Sequence, residues 1–132
     1  MTFAGINHLA VLIAAVLAWL ASAAWCLSLG KHYADALGKT PVRAFGPYLL
    51  VLIIDLIVAW MLAGVLGHLG AGQVTLRNGV ISGAFLWFGF VLTTMTANYS
   101  FTGQNRRLLL IDAGNWLIVL LVMGAVIGFV GV

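Results

Sequence analysis

Residues Leu52–Trp60 read LIIDLIVAW, an apolar stretch interrupted by a single aspartate, Asp55. The stretch lies within a longer apolar run, 44–68, which exceeds the roughly 20 residues that a helix needs to cross the hydrocarbon core of a bilayer. A charged side chain at the centre of such a helix costs about 2.5–3.5 kcal/mol to insert. The run therefore predicts a membrane-spanning helix, and Asp55 is the first residue whose role needs an explanation.

The composition of the whole chain agrees with a lipid environment. Hydrophobic residues make up 64% of the 132 residues and charged residues only 7%, whereas a soluble domain carries about 25% charged residues. The six Lys and Arg residues mostly adjoin apolar runs, so we attribute the net charge of +3 to membrane topology and expect no nucleic-acid partner. The single cysteine, Cys26, excludes an internal disulfide, a CxxC redox pair and a zinc cluster.

Four apolar runs predict an all-α membrane protein with four transmembrane helices in one compact bundle. The runs are 4–29, 44–68, 76–99 and 108–130, and we assign residues 1–132 to a single domain. Backbone groups in lipid must form hydrogen bonds within their own segment, so each run is expected to be helical. The connections are short, and residues Lys31–Leu37 of the first connection are expected to form a short interfacial helix.

The distribution of basic residues between the loops predicts the orientation. The first and third loops carry Lys31, Lys39, Arg43, Arg106 and Arg107, whereas the opposite face holds only Arg77. The positive-inside rule then places the first and third loops in the cytoplasm and both termini in the periplasm. The expected location is a bacterial inner (plasma) membrane, crossed several times.

Small residues recur at four-residue spacing in every predicted helix, which permits close packing of backbones. The packing candidates are Ala14, Ala18, Ala59, Gly83, Gly124 and Gly128. Asp55 belongs to the same stripe as Ala59, so we expect it to face protein. The central seam of one bundle needs only one face of each helix. We therefore expect the stripes Ala10–Ala18 and Gly124–Gly128 to contact another polypeptide, in a homo-oligomer or a larger membrane complex.

The polar residues of the predicted helices concentrate between the midplane and the cytoplasmic surface. They form a candidate intramembrane cluster of Asp55, Thr93, Thr94, Asp112 and Asn115. The structural interpretation of the Thr and Asn side chains is that they form hydrogen bonds between helices. The structural interpretation of Asp112 is an ion pair with Arg106 or Arg107. Asp55 has no Lys or Arg at its depth, and two interpretations stay open: a neutral packing residue or a functional carboxylate.

Two further patterns raise the question of ligands, although no cofactor is required by the sequence. His8 and His68 lie at similar depth near the outer ends of antiparallel helices, where they could hold a metal or a haem; hydrated surface histidines are the commoner case. Several tryptophans fall inside the apolar core instead of its interfacial belts: Trp19, Trp60, Trp87 and Trp116. Packing against the small-residue stripes explains them, and the alternative is a groove for a flat apolar ligand such as a quinone or a pigment.

Two segments of the second half resemble a known family. They read GAFLWFGFVLTTM at 83–95 and FTGQNRRLLLIDAGNWLIVLLVMGAVIG at 101–128, and they are similar to a small bacterial membrane family catalogued as domain of unknown function 1761. The matching positions are Trp87, Gly89, Thr93, Thr94, Phe101, Asp112, Gly114 and Gly124. In the first half, AAWCLSLGKHYADALGK is similar to a family segment that has tyrosine in place of Cys26 and proline in place of Leu29. The resemblance implies a four-helix inner-membrane protein and supplies no activity.

The leading functional interpretation is a small non-catalytic membrane protein, either a self-associating scaffold or an accessory subunit of a larger complex. It rests on the small-residue stripes, the short loops and the lack of a nucleophile–base pair or phosphate-binding loop in the sequence. The alternative is a proton-coupled small transporter or channel that uses Asp55 at the midplane. An integral membrane enzyme acting through Asp112 and Asn115 is the least supported interpretation, because neither residue has an evident acid–base partner.

Overall fold

The computed structural model describes residues 5–42, 44–70 and 72–132, and all regular structure in these ranges is helical. The elements are α1 (His8–Ser28), α2 (Gly30–Leu37), α3 (Phe45–Gly67), α4 (Leu76–Leu86), a π-helical segment (Trp87–Leu92), α5 (Thr93–Thr102) and α6 (Arg106–Val130). Arg43, which contributes to the predicted orientation, lies outside the described residues.

Four stretches are long and apolar enough to cross a membrane: His8–Ser28, Phe45–Gly67, Leu76–Thr102 and Arg106–Val130. They are termed the first to fourth spans, and the third span consists of α4, the π-helical segment and α5. The spans agree with the four predicted apolar runs to within a few residues at each end, which supports a multi-pass membrane protein. The predicted interfacial segment also forms, as α2.

Capping residues define the ends of several helices. The side chains of Asn7, Thr75 and Asn105 accept hydrogen bonds from backbone N–H groups at the starts of α1, α4 and α6. Gly38 and Gly103 end α2 and α5 in the left-handed conformation, with φ angles of 72° and 64°. These caps allow the chain to turn sharply after α2 and α5, so that α5 and α6 lie side by side.

The fourth span is the centre of the bundle. α6 packs against α4 on one side and against α1 on the other, while α1 also packs against α3. The core is built from the first, second and fourth spans: Val11, Ala14, Ala15, Ala18, Ala59, Leu62, Ala63, Leu66, Val119, Met123 and Ile127. The third span lies at the edge of the bundle. Only 6% of its apolar 18-residue stretch is buried, compared with 28–39% of the corresponding stretches in the other three spans.

The third and fourth spans meet through glycine. Gly79 lies against the carbonyl group of Gly124, and Gly83 lies against that of Leu120. The approach is so close that a Cβ atom added at Gly79, Gly124 or Gly128 would overlap a carbonyl oxygen of the opposite helix. Small residues permit this approach in membrane helices, where tight van der Waals packing replaces the hydrophobic driving force.

These contacts correct the expectation that two small-residue stripes are left over for another polypeptide. Gly124 and Gly128 are buried against the third span, and Ala10, Ala14 and Ala18 are buried within the bundle. The physical reason is that α1 and α6 each pack against two neighbouring spans. Each of them therefore uses two faces within one chain, whereas the prediction allowed only one face for each helix. The stripes are therefore no evidence for association, although all six packing candidates are buried.

Candidate functional site

Polar side chains gather at two levels of the bundle. One group surrounds Asp112, near the end that carries Lys31, Lys39, Arg106 and Arg107, which is termed the basic end. The other is Asp55, deep in the core. The two carboxyl groups therefore differ in their surroundings.

The first group joins four helices around one carboxylate. Asp112 of α6 accepts a hydrogen bond at Oδ2 from the hydroxyl group of Tyr99 of α5. Tyr33 of α2 faces the same site, and its own burial, followed by the charges of Asp112 and Cys26, raises the pKa of Tyr33 above its ordinary value. Cys26 of α1 lies near the same carboxylate, with Ser22 of α1 beside it. These five residues are termed the Asp112 cluster.

Two indole rings hold the backbone of α6 on either side of Asp112. Trp25 Nε1 donates a hydrogen bond of 3.1 Å to the carbonyl oxygen of Ile111, and Trp87 Nε1 donates one of 2.7 Å to the carbonyl oxygen of Ala113. The Trp25 ring also covers Gly114, where an added Cβ would lie 2.9 Å from the ring. The rings therefore restrict rotation of α6 and with it the direction in which Asp112 points.

The π-helical segment positions one of these indoles. Trp87 is its first residue, and Gly89 within it has open space on its outer side. π-Helical turns are rare and occur frequently at functional sites. Their wider turn also rotates the residues that follow, so α5 presents different side chains to α6 than an uninterrupted α-helix would.

The structure does not unite the polar cluster predicted from the sequence. Thr93 and Thr94 are exposed, and their hydroxyl groups donate to carbonyl oxygens one turn earlier in their own span instead of joining helices. Asp112 is bonded to Tyr99, and no ion pair connects it to Arg106 or Arg107 in the described ranges. Since Tyr99 reaches Asp112 from the neighbouring helix, the carboxylate has a partner without either arginine.

Asp55 is completely buried, with 0% of its surface exposed. It shares the buried face of α3 with Ala59, Leu62 and Leu66, which confirms that it faces protein. Neither of its carboxyl oxygens has a hydrogen-bond partner among the described residues, and the same holds for Oδ1 of Asn115. Buried polar atoms are nearly always hydrogen-bonded, so these atoms require an explanation beyond packing.

The two histidines considered as ligands lie in different surroundings. His68 Nδ1 is 2.6 Å from the carbonyl oxygen of Gly64 in its own helix region. His8 lies at the rim of an open apolar groove between the first and second spans, lined by Val11, Leu12, Leu56, Ile57 and Trp60. The part of the chain that the structure covers has no group of three or more His, Cys, Asp or Glu side chains able to hold a metal ion.

Sequence reasoning misses three aromatic residues of the site: Trp25, Tyr33 and Tyr99. All three lie near the basic loops, where tryptophan and tyrosine usually serve as interfacial anchors. A signal was nevertheless present, because Asp112 lies near the same end and an intramembrane carboxylate needs hydrogen-bond donors. Tyrosine and tryptophan are the donors that the ends of the neighbouring helices offer.

Comparison with known proteins identifies one family. The sequence pattern of the family described as "Protein of unknown function (DUF1761)" matches residues 9–128, which include Asp55 and the whole Asp112 cluster. No curated protein and no solved structure matches the chain. The match extends the resemblance seen in the second half of the sequence to nearly the full length. The chain therefore belongs to the DUF1761 family.

Proposed function

We propose that the protein is a small proton-linked membrane transporter or channel, and that the carboxyl group of Asp55 binds and releases the proton. The observation that carries this proposal is the complete burial of Asp55 without a hydrogen-bond partner in the described chain. Ionisable residues inside membrane spans are costly and typically mark ion or proton pathways. The burial of both small-residue stripes within the chain also removes these stripes as an argument for association.

The surroundings of Asp55 suggest how proton binding would be coupled to a change of structure. A neutral carboxyl group fits an apolar core, whereas a carboxylate there lacks the donors and cations that would stabilise its charge. Loss of the proton therefore raises the free energy of the packed bundle relative to an arrangement in which water reaches Asp55. Proton binding and release would shift the population between these two arrangements. Such a shift is the coupling that a proton-linked carrier needs.

Proton flux into vesicles tests this role. The purified protein is placed in lipid vesicles that contain a pH-sensitive dye, and a potassium diffusion potential drives protons inward. We expect the wild-type protein to conduct faster than empty vesicles and Asp55→Asn, which cannot ionise, to conduct no faster than empty vesicles. Asp35→Asn is the matched control, because Asp35 is an exposed carboxylate on α2.

Folding is measured on the same samples by thermal unfolding and size-exclusion chromatography. The isosteric Asp55→Asn variant is expected to keep the wild-type profile, so that a loss of flux reports on the proton and not on the fold. Wild-type flux in a folded Asp55→Asn variant would contradict the proposal. Equal flux for wild-type and empty vesicles would contradict a proton channel.

A second candidate function, a self-associating scaffold or an accessory subunit, is supported by the third span. This span is the least buried of the four and exposes Phe85, Phe88 and Phe90. Membrane lipid can cover such a face, and so can a helix of a second copy or of a larger complex. In this alternative the aromatic face of the third span would be the interface, in place of the two stripes that the bundle itself buries.

Site-specific photocrosslinking in native membranes distinguishes lipid from protein at this face. A photoreactive residue at Phe88 should give discrete protein adducts if the accessory function is correct. The same residue at Leu20, an exposed position of the first span, is the matched control and should give lipid adducts only. Lipid adducts alone at both positions would contradict the accessory function.

A further inference from the structure

The basic end of the bundle carries exposed cations on two neighbouring elements. Lys31 lies on α2, and Arg106 and Arg107 form the first turn of α6. Lys39 follows Gly38, the residue that caps the end of α2. Arg77, in contrast, stands at the opposite end, in the first turn of α4.

The carboxylates at the basic end, Asp35 and Asp112, are fewer than its four described cations. The chain has three acidic residues, and Asp112 is already bonded to Tyr99 while Asp55 is enclosed in the core. Asp35 is exposed on α2, and within the described ranges it forms no ion pair. The basic end is therefore left with a local excess of positive charge at the boundary of the membrane spans.

The packing of α2 against α6 brings the cations of both helices to one end of the bundle. α2 packs on α6, with Tyr33 half-buried and facing Asp112, while Lys31 and His32 remain exposed. Asp112 follows Arg107 by five residues, about 7.5 Å along the helix axis. Because α2 packs on α6, the exposed cations of α2 and of the first turn of α6 belong to the same end of the bundle.

We propose that the basic end binds the headgroup phosphate of an anionic phospholipid, between α2 and the start of α6. A short helix with apolar residues on one face and charged residues on the other lies along the membrane interface, where headgroup phosphates are found. Clusters of Lys and Arg next to membrane spans attract anionic lipids. The two guanidinium groups add planar pairs of N–H donors that match phosphate oxygens. This binding site is independent of the role proposed for Asp55.

Lipid titration into the detergent-solubilised full chain tests the proposal. Phosphatidylglycerol is the probe, phosphatidylcholine is the zwitterionic comparison, and bound lipid is counted by native mass spectrometry. We expect phosphatidylglycerol to bind and phosphatidylcholine to bind at least about tenfold more weakly. Each cation near the surface contributes about fivefold to the affinity, so Lys31→Gln should weaken binding about fivefold and Arg106→Gln with Arg107→Gln about 25-fold.

Arg77→Gln is the matched control, because it removes one exposed cation from the opposite end. It should leave the affinity for phosphatidylglycerol unchanged. An equal loss in Arg77→Gln and Lys31→Gln, or equal binding of the two lipids, would overturn the proposal. Inorganic phosphate is added in competition, and displacement of the lipid at equal concentration would mean that the site recognises free phosphate, which also overturns it. Circular dichroism of each variant establishes that the helices are intact.

Discussion

Tyr99 and Asp112 illustrate how much of the site depends on a single hydrogen bond. The Tyr99 hydroxyl reaches from α5 to the carboxylate on α6 and is the donor that the structure gives to Asp112. A partly buried carboxylate without a donor keeps its desolvation cost and loses the compensating bond. Because α5 has no fully buried residue, this bond is one of the contacts that hold α5 against α6.

We expect Tyr99→Phe to lower the free energy of unfolding by about 1–3 kcal/mol, because the ring stays and only the donor to Asp112 is lost. Denaturant titration in mild detergent, followed by circular dichroism, measures the change. Tyr48→Phe is the matched control, since Tyr48 is exposed and contributes only its backbone carbonyl, to Trp19. If the two variants are equally stable, the Tyr99–Asp112 bond does not contribute to stability.

The sequence was informative about Asp55 and much less so about Asp112. The four-residue stripe through Asp55 and Ala59 predicts which face of α3 is buried, because helical periodicity alone decides it. The partner of Asp112 cannot be found in this way. It depends on how the π-helical segment rotates α5 and on two indole contacts from other helices, and these are tertiary features.

At the level of elements, the pair formed by α4 and α6 is held by backbone contact instead of by large side chains. Gly79, Gly83 and Gly124 place the two helices so close that even one methyl group would overlap a carbonyl oxygen. Over-packing of a close contact typically costs about 1–3 kcal/mol, and more where the obstacle is backbone that cannot move aside. The glycines are therefore structural requirements of the hairpin.

Gly79→Ala is expected to destabilise the bundle by at least about 2 kcal/mol, because the added methyl group meets the backbone of α6. Gly89→Ala is the matched control in the same span. A Cβ at Gly89 meets open space, so that variant should be neutral within about 1 kcal/mol. Thermal unfolding in detergent compares the two. Equal melting temperatures would show that the close approach of α4 and α6 is not essential.

The helices themselves were predictable, because apolar runs of about 20 residues have few alternatives in lipid. Their arrangement was not, since the stripes do not say which helix faces which. Gly124 and Gly128 are equally compatible with a contact inside the chain and one between chains. The structure assigns them to the contact with the third span, so replacing them with leucine should unfold the bundle instead of splitting a complex.

At the scale of the whole molecule, the positive charge lies mainly at one end of four spans. Lys31, Lys39, Arg106 and Arg107 mark the basic end, whereas Ile6 and Val132 pack together with the core at the other end. The orientation proposed from this asymmetry has the basic end in the cytoplasm and both described ends of the chain in the periplasm.

Cysteine accessibility in a Cys26→Ala background checks the orientation. A membrane-impermeant maleimide added to intact cells should label a cysteine at Val132 and leave one at Lys39 unlabelled, because only the former is expected on the outside. Disrupting the cells should make Lys39 reactive, which is the control for accessibility. Labelling of Lys39 but not Val132 in intact cells would reverse the proposed topology.

The central position of α6 has a consequence for biosynthesis. Ribosomes make the chain from its amino-terminal end, so the span on which α1 and α4 both pack is the last of the four to enter the membrane. Until α6 arrives, α3 packs chiefly on α1 and to a small extent on α4, and its Asp55 carries an insertion penalty of about 2.5–3.5 kcal/mol. A ribosome that stops before residue 106 would thus release a membrane intermediate in which α3, with its Asp55, lacks the contact with α6. Quality-control proteases that recognise polar residues within the bilayer would be expected to remove it.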